Sequence, residues 1–409
     1  MQAKLIIQKY GGTSVGDVKR LEAVAERIAS CVKKGHRLVV VVSAMGDTTD
    51  ELIDLARKIN QHPSEREMDM LISTGEQISS ALLAMAIHTK GCEAISFTGP
   101  QVGIITDTYH TKAKILKIET SRIKEELARG KVVIVAGFQG ISTKSEITTL
   151  GRGGSDLSAV ALAVALGADM CEIYTDVEGI FTADPRIVPG ARKLKYITFD
   201  EMLELAARGA QVMQTRAVEV GKKFNMPIYV RSSFSQKEGT VIMNKKPHIE
   251  EPVVRGVALT ENEAKITICD VPDQPGIAAE IFNDLASQNI NIDMIVQNVS
   301  HRKMTDVSFT VPKDNLQKAL KTAKKISGSI SAGGVLSDEN VAKVSVVGVG
   351  MKSQSGVAAK CFSALAKHKI NIEMISTSEI SISCVVKKEL GKESLRVLHK
   401  EFGLEKIKG

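Results

Sequence analysis

A chain of 409 residues is too long for one ordinary core, and 43% hydrophobic with 25% charged residues is the balance of a soluble globular protein. Aromatics make up only 4% with no Trp, and the net charge of +7 comes without a dense basic run, which together argue against nucleic-acid binding. Six scattered cysteines without a C-x-x-C pair imply reduced thiols and a cytoplasmic location, and eight histidines without ligand spacing argue against zinc. Leu5-Ile6-Ile7 is too short for a signal segment, and no stretch is expected to approach the ~20 apolar residues of a membrane span.

Strand and helix patterns then alternate. After the first strand, Leu21, Val24, Ala25 and Ile28 recur at helical spacing. Leu38-Val39-Val40-Val41-Val42 is a continuous apolar run, as expected of a strand buried on both faces of a parallel sheet. Residues 72–87 predict a helix, 132–136 a second buried strand, 157–166 a very apolar helix and 172–174 a further strand. The alternation predicts an α/β fold, a doubly wound and mainly parallel sheet sandwiched by helices, with ligands at the strand C-termini. The polar stretch 244–252, with Pro247 and Pro252, reads as a linker.

An internal repeat follows. Pro275-Gly276-Ile277-Ala278-Ala279 is echoed by Ser355-Gly356-Val357-Ala358-Ala359, and Ile290-Asn291-Ile292-Asp293-Met294 by Ile370-Asn371-Ile372-Glu373-Met374, both at an offset of 80 (356 − 276, 371 − 291). Each copy predicts strand, glycine turn, helix, strand, with Ile281 and Leu285, or Cys361 and Leu365, on one buried face. The expected units are 1–245, 246–335 and 336–409. Paired repeats offer edges for joining within a chain or across an oligomer.

Four motifs carry candidate chemistry. Lys9-Tyr10-Gly11-Gly12 ends the first strand, where glycines let amides approach a phosphate and a lysine adds a cation; a plain tight turn also accounts for it. Leu150-Gly151-Arg152-Gly153-Gly154-Ser155-Asp156 runs into the apolar helix. Arg152 suits a carboxylate fork, and the glycines expose amides at a helix N-terminus. Ser155 or Asp156 could be a simple N-cap, but a cap requires neither the arginine nor paired glycines. Ser73-Thr74-Gly75-Glu76 places a carboxylate at a helix start, and Tyr174 to Arg186 runs from a strand into a polar loop ending Asp184-Pro185-Arg186 that could hold a nucleotide. Walker A and protein-kinase signatures are absent.

In this order the motifs resemble the amino-acid kinase family, and within it the aspartate kinases, while the repeats resemble paired ACT domains of ferredoxin-like βαβ form. The resemblance covers essentially the whole chain, and Val42 to Glu51 is similar to the shorter, lysine-pathway branch. It implies transfer of phosphate from ATP to the side-chain carboxylate of aspartate, with Mg²⁺ carried by ATP and no metal fixed by the protein. By that resemblance Lys9 and Asp156 are catalytic. Lys9, Tyr10, Gly11, Gly12, Ser155, Thr175, Asp176, Asp184 and Arg186 contact ATP. Ser43, Thr49, Glu76, Arg152, Gly153, Gly154 and Ser155 contact aspartate, with Glu76 on the ammonium and Arg152 on the α-carboxylate. Gln211 stands where relatives usually carry a lysine at a nucleotide contact. Two alternatives are a non-catalytic amino-acid sensor, disfavoured by Lys9, Glu76, Arg152 and Asp156 together, and a glutamate or N-acetylglutamate kinase. An acetylated amine would leave Glu76 without a charge to bind.

For regulation the expected effectors are lysine and/or threonine, acting through a homo-oligomer or an α2β2 assembly. Asp273, Gln274, Gly276, Ile277 and Ala278 lead into a helix whose amides suit an effector carboxylate. Asn291, Ile292, Asp293, Gln297 and Asn298, with Asn371 and Ile372 of the second copy, complete the candidate pocket; Asn291 and Asn371 could also be turn residues.

Overall fold

The computed structural model describes residues 3–209, 212–244, 253–298, 303–352 and 354–406. Gln211 and the expected linker residues 245–252 lie outside them. The N-terminal half contains strands β1 (Leu5–Tyr10), β2 (Arg37–Val42), β3 (Ala94–Phe97), β4 (Ile104–Thr106), β5 (Ile115–Ile118) and β6 (Val132–Ala136). They continue as β7 (Gln139–Ser142), β8 (Ile147–Thr149), β9 (Met170–Thr175), β10 (Tyr196–Thr198), β11 (Ile228–Ser232) and β12 (Thr240–Met243). Its helices are α1 (Val18–Lys33), α2 (Thr48–Ile59), α3 (Glu65–Ile72), α4 (Thr74–His88), α5 (Ser121–Ala128), α6 (Gly154–Leu166), α7 (Phe199–Ala207) and α8 (Thr215–Lys223).

Eight strands form one sheet in the order β10-β12-β11-β9-β1-β2-β6-β3, parallel throughout except where β11 meets β12. Strand alternation assigns its two faces. Ile6 and Tyr10 of β1 share a cluster with Leu21 and Val24 of α1 and Leu83 of α4, whereas Ile7 joins Leu157 of α6 and Ile123 of α5. Because β1 lies between β2 and β9, the strand order turns there, and the loops leaving β1, β2, β6 and β9 share one edge of the sheet.

Two features depart from the sequence expectation. A second sheet, β5-β4-β7-β8, is built from strands of three or four residues, too short to show a period. Helices α3 and α4 run together over Glu65–His88, 24 residues long and apolar enough by composition to span a membrane. Half of that apolar window is buried, and Leu83 and Ile87 pack with β2 and β6, as in a core helix.

The C-terminal half contains β13 (Gly256–Pro272), β14 (Ile295–Gln297), β15 (Met304–Pro312), β16 (Gly334–Val347), β17 (Met374–Thr377) and β18 (Ser381–Lys387). Its helices are α9 (Ile277–Ser287), α10 (Leu316–Ser329), α11 (Val357–Lys367) and α12 (Gly391–Glu401). The strands form one antiparallel sheet, β14-β15-β13-β16-β18-β17. Strand β13 pairs with β16 at both ends, 256–260 with 343–347 and 265–269 with 334–338, so the two copies share their central strands. Gly276 and Gly356 open α9 and α11 at φ 97° and 92°, a conformation that explains why both echoes carry glycine.

Between the copies the charges cross over. Lys265 of the first pairs with Glu373 of the second, and Lys343 of the second pairs with Asp293 of the first, around a small cluster of Met294, Val341, Met374 and Val385. Lys343 also lies 3.1 Å from Glu263 Oε1. Asp293 reaches beyond the sheet to Arg208 at the end of α7 (3.0 Å), and Arg208 pairs with Glu204 at 2.9 Å.

Lys343 is 1% exposed, so Lys343→Ala leaves the buried Glu263 without its cation and Asp293 with Arg208 alone. Breaking a buried pair by removing one partner costs on the order of 3 kcal/mol. Urea unfolding followed by amide exchange in β16 should show the C-terminal half opening at clearly lower denaturant in this variant. Lys265→Ala, at a more exposed pair, should move the midpoint less.

Candidate active site

Lys9 ends β1 with its Nζ 2.7 Å from Asp156 Oδ1, and both side chains are nearly buried. Asp156 lies in the first turn of α6 and takes a second contact from the Gln214 amide at 3.3 Å. The glycine turn closes over this pair. A Cβ on Gly12 would stand 2.8 Å from the Ala44 carbonyl, so that residue is glycine for space. The Gly11 amide donates to the Tyr174 carbonyl at 3.3 Å, whereas the Gly12 amide has no hydrogen-bond partner among the described residues. Of the two amides expected to meet phosphate, Gly12 is therefore the one available.

The loop before α6 needs its glycines individually. Gly151 and Gly153 adopt φ 83° and 72°, and a Cβ on Gly154 would lie 2.9 Å from Leu150 and 3.0 Å from Phe138. The N-cap of α6 is Gly153, with no side-chain cap, so Ser155 and Asp156 lie inside the helix and face inward. Ser155 sits against Gly137 at the end of β6, where a Cβ would come within 2.8 Å of its hydroxyl. Arg152 is exposed, and its guanidinium has no partner among the described residues.

Glu76 lies in the first turn of α4 and is 3% exposed. Its Oε1 accepts the Ala44 amide at 3.2 Å, while the buried Oε2 has no partner among the described residues. Burial pushes this carboxyl up to about 7, against the smaller opposing effect of the Glu76 and Ala44 amides. Gly75 allows the approach, since its Cβ would stand 2.8 Å from that of Ala44 and 3.6 Å from Thr48. Ala44 thus touches both the glycine turn and Glu76, with half-buried Ser43 and Thr49 on the same segment.

Several expected contacts are placed differently. Tyr10 is fully buried, stacked on Tyr174 at 4.8 Å and bonded to Gln8, so its side chain belongs to the core beneath the turn. Thr175 donates to Asp176 at 2.9 Å at the mouth of β9. Arg186 is turned back onto Asp184 (2.8 Å), which holds that carboxyl below its usual range, so the guanidinium is engaged within its own loop. In the candidate effector region Asp273, Gln274, Gly276, Ala278, Asn291, Gln297, Asn298 and Asn371 are exposed, and Ile277, Ile292 and Ile372 are half-buried. Asp293, expected to face an effector, is instead held by Lys343 and Arg208.

Residues outside the motifs complete the site. Phe138 takes φ 68° between β6 and β7, a strained position for a bulky residue, and is held by the Ser158 hydroxyl on its amide (3.0 Å). Gln214 donates through Nε2 to the Arg152 carbonyl (3.0 Å), and Arg216 donates to the Leu150 carbonyl (2.7 Å). Their one sequence signal is polarity at the start of an amphipathic helix, which does not distinguish them from surface residues.

Together the loops hold a lysine–aspartate pair at a strand end, a glycine turn with an open amide and, among the described residues, a buried carboxylate oxygen and an arginine guanidinium without partners. The chain belongs to the amino acid kinase family, whose model matches residues 4–232, and two ACT domain models match 265–328 and 344–402. Within that family it belongs to the aspartate kinases. Relatives include the aspartokinase of Pseudomonas aeruginosa, 50% identical with 98% of each chain covered, and that of Corynebacterium glutamicum, 50% identical over 98% of this chain and 96% of the relative. Among solved structures, E. coli aspartokinase III in complex with aspartate and ADP is 26% identical, with a TM-score of 0.83 and coverage of 97% of this chain and 99% of that one. The same enzyme in complex with lysine and aspartate is 27% identical with a TM-score of 0.76, over 97% of this chain and 99% of that chain.

The raised Glu76 carboxyl has a definite consequence for stability. A carboxyl whose folded pKa is above its unfolded value stabilises the fold below the unfolded value, and this contribution is lost as pH rises from about 4.5 to about 7. Glu76→Gln removes the ionisation, so it should raise the melting temperature of the ligand-free protein at pH 8 and leave it nearly unchanged at pH 5. Thermal melts at both values check this; an equal effect at the two pH values would count against the buried, unpaired carboxylate.

Proposed function

We propose that the chain catalyses ATP-dependent phosphorylation of the side-chain carboxylate of L-aspartate, giving 4-phospho-L-aspartate and ADP, with control by amino acids through its C-terminal repeats. The observation that carries the reading is the Glu76 Oε2, a buried carboxylate oxygen without a partner among the described residues, beside the turn that holds the Lys9–Asp156 pair. An ammonium is the group that such an oxygen binds well.

The chemistry requires no general base. A side-chain carboxylate with a reference pKa of about 3.9 is already a nucleophile at neutral pH. One of its oxygens attacks the γ-phosphorus as the bond to the ADP oxygen breaks, and the electron pair leaves with ADP. The obstacle is the meeting of two anions, which repel by about 4 kcal/mol for unit charges roughly 4 Å apart at an effective dielectric of about 20. Lys9, held in place by Asp156, the Gly12 amide and the Mg²⁺ that ATP carries offset that repulsion as charge shifts. Glu76 takes the substrate ammonium and Arg152 its α-carboxylate, with Ser43, Thr49, Gly153, Gly154 and Ser155 around them. Thr175 and Asp176 take the nucleotide, and Arg186 joins them on exchanging Asp184 for phosphate.

Residues 1–245 form the catalytic unit in this reading, and 246–335 and 336–409 the regulatory ones. Lysine and/or threonine bind the repeats of a cytoplasmic homo-oligomer or α2β2 assembly, around Asp273, Gln274, Gly276, Asn291 and Asn371. Asp293 serves there as a structural link.

Trapping the acyl phosphate with hydroxylamine, in the presence of ATP and a panel of acids, tests the reaction and the role of Glu76 together. Aspartate should give hydroxamate and one ADP per product, while N-acetylaspartate and succinate, which lack the ammonium, should give little. Equal product from aspartate and succinate would remove Glu76 from substrate recognition, and no hydroxamate from any acid would overturn the reaction.

A further inference from the structure

Asp69 lies in α3, outside every motif above, and is fully buried. A buried carboxylate is costly unless it is hydrogen-bonded, and this one is bonded on both oxygens. Oδ1 accepts the Thr149 hydroxyl at 2.5 Å, the Thr111 amide lies 3.1 and 3.0 Å from Oδ1 and Oδ2, and His110 Nδ1 is 2.8 Å from Oδ2. These partners come from β8 and from the loop joining β4 to β5, so one side chain ties three segments together.

The tied segments carry the two groups proposed to grip the amino-acid end of the substrate. Thr149 stands three residues before Arg152. Thr111 is β-branched yet has φ 62°, and its carbonyl lies 3.2 Å from the position of a Cβ on Gly151. The strained backbone held by Asp69 therefore forms the floor under the turn that presents Arg152. On the other side, the Ser73 amide donates to the Asp69 carbonyl at 3.2 Å, and Gln139 Nε2 donates to the Ser73 carbonyl at 2.7 Å. Gln139 is the ladder partner of Thr149. A closed ring of Asp69, Thr149, Gln139 and Ser73 thus joins the start of α4, where Glu76 sits, to the loop of Arg152.

We infer that Asp69 is a positioning residue for the amino-acid substrate, setting the separation of Glu76 and Arg152 through Thr149 and Thr111. This rests on the proposed roles of Glu76 and Arg152. Because Lys9 is held by β1 and α6, disturbing the ring should impair aspartate use without loosening ATP.

Steady-state kinetics on the full chain provide the test. Asp69→Asn keeps the shape but loses the charge and replaces one acceptor oxygen with a donor. It should raise KM for aspartate about tenfold or more, with KM for ATP within about twofold, since small misplacements of orienting groups cost one to two orders of magnitude. Thr149→Val should shift KM for aspartate in the same direction, and Thr149→Ser, which keeps the hydroxyl, should stay near wild type. An unchanged KM for aspartate, equal rises in both KM values, or a Thr149→Ser as impaired as Thr149→Val would overturn the inference. Should Asp69→Asn fail to fold, the two Thr149 variants decide alone. Glu76→Gln in parallel separates the levels: if it leaves KM for aspartate unchanged, the reading of the site falls. If it raises that KM while the ring variants do not, only the inference falls.

Discussion

The arrangement depends on one ion pair, Lys9 with Asp156, 2.7 Å apart at the C-terminal edge of the main sheet. In the proposed reaction, the cation that faces the moving phosphoryl group has to be fixed in direction without being sealed off. Strand β1, flanked by β9 and β2, fixes the lysine backbone. Asp156, in the first turn of α6, is itself favoured by the partial positive charge of that helix end. The close approaches at Gly12, Gly137 and Gly154 and the left-handed turns at Gly151 and Gly153 all bring α6, β6 and the glycine turn close enough for the pair to form. The fold around it is largely a means of holding those backbones together.

How much of this was legible in the sequence follows from what each feature needs. The buried strands Leu38–Val42 and 132–136 announce themselves, because a strand covered on both faces must be apolar at every position. The repeat was legible because Gly276 and Gly356 meet the same backbone demand, and Lys9, Glu76, Arg152 and Asp156 were legible as motifs. The four-stranded sheet was not, since three-residue strands carry no period. Asp69, Gln139 and Gln214 were also hidden. Each acts through bonds to partners distant in sequence, 41 to 80 residues for Asp69, 66 for Gln139 and 62 for Gln214, and local pattern does not encode such pairs. The partners of Asp293 were hidden for the same reason, Arg208 and Lys343 lying 85 and 50 residues distant.

Those partners describe how the two halves meet. Arg208 joins α7 to the first repeat through Asp293, and Ser381 of the second repeat donates to Glu204, the other partner of Arg208. The loop of Asp184 and Arg186 rests on the second repeat: Ala183 and Val188 share a core with Leu395 and Leu398, and Thr182 Oγ1 lies 2.9 Å from His399 Nε2. A shift of the repeats therefore reaches the proposed nucleotide loop by direct packing. Coupling of this kind needs no long relay, because packed contacts have few intermediate positions.

In the proposed reaction Lys9 and Asp156 act as one unit in the transition state, which a double-mutant cycle on kcat can decide. Lys9→Ala should lower kcat by on the order of 10²-fold or more, as for loss of an electrostatic stabiliser. If Asp156 works by holding that lysine, adding Asp156→Asn to Lys9→Ala should cost little further, so the double variant matches the single. Losses that multiply in the double variant would instead show the two residues acting independently.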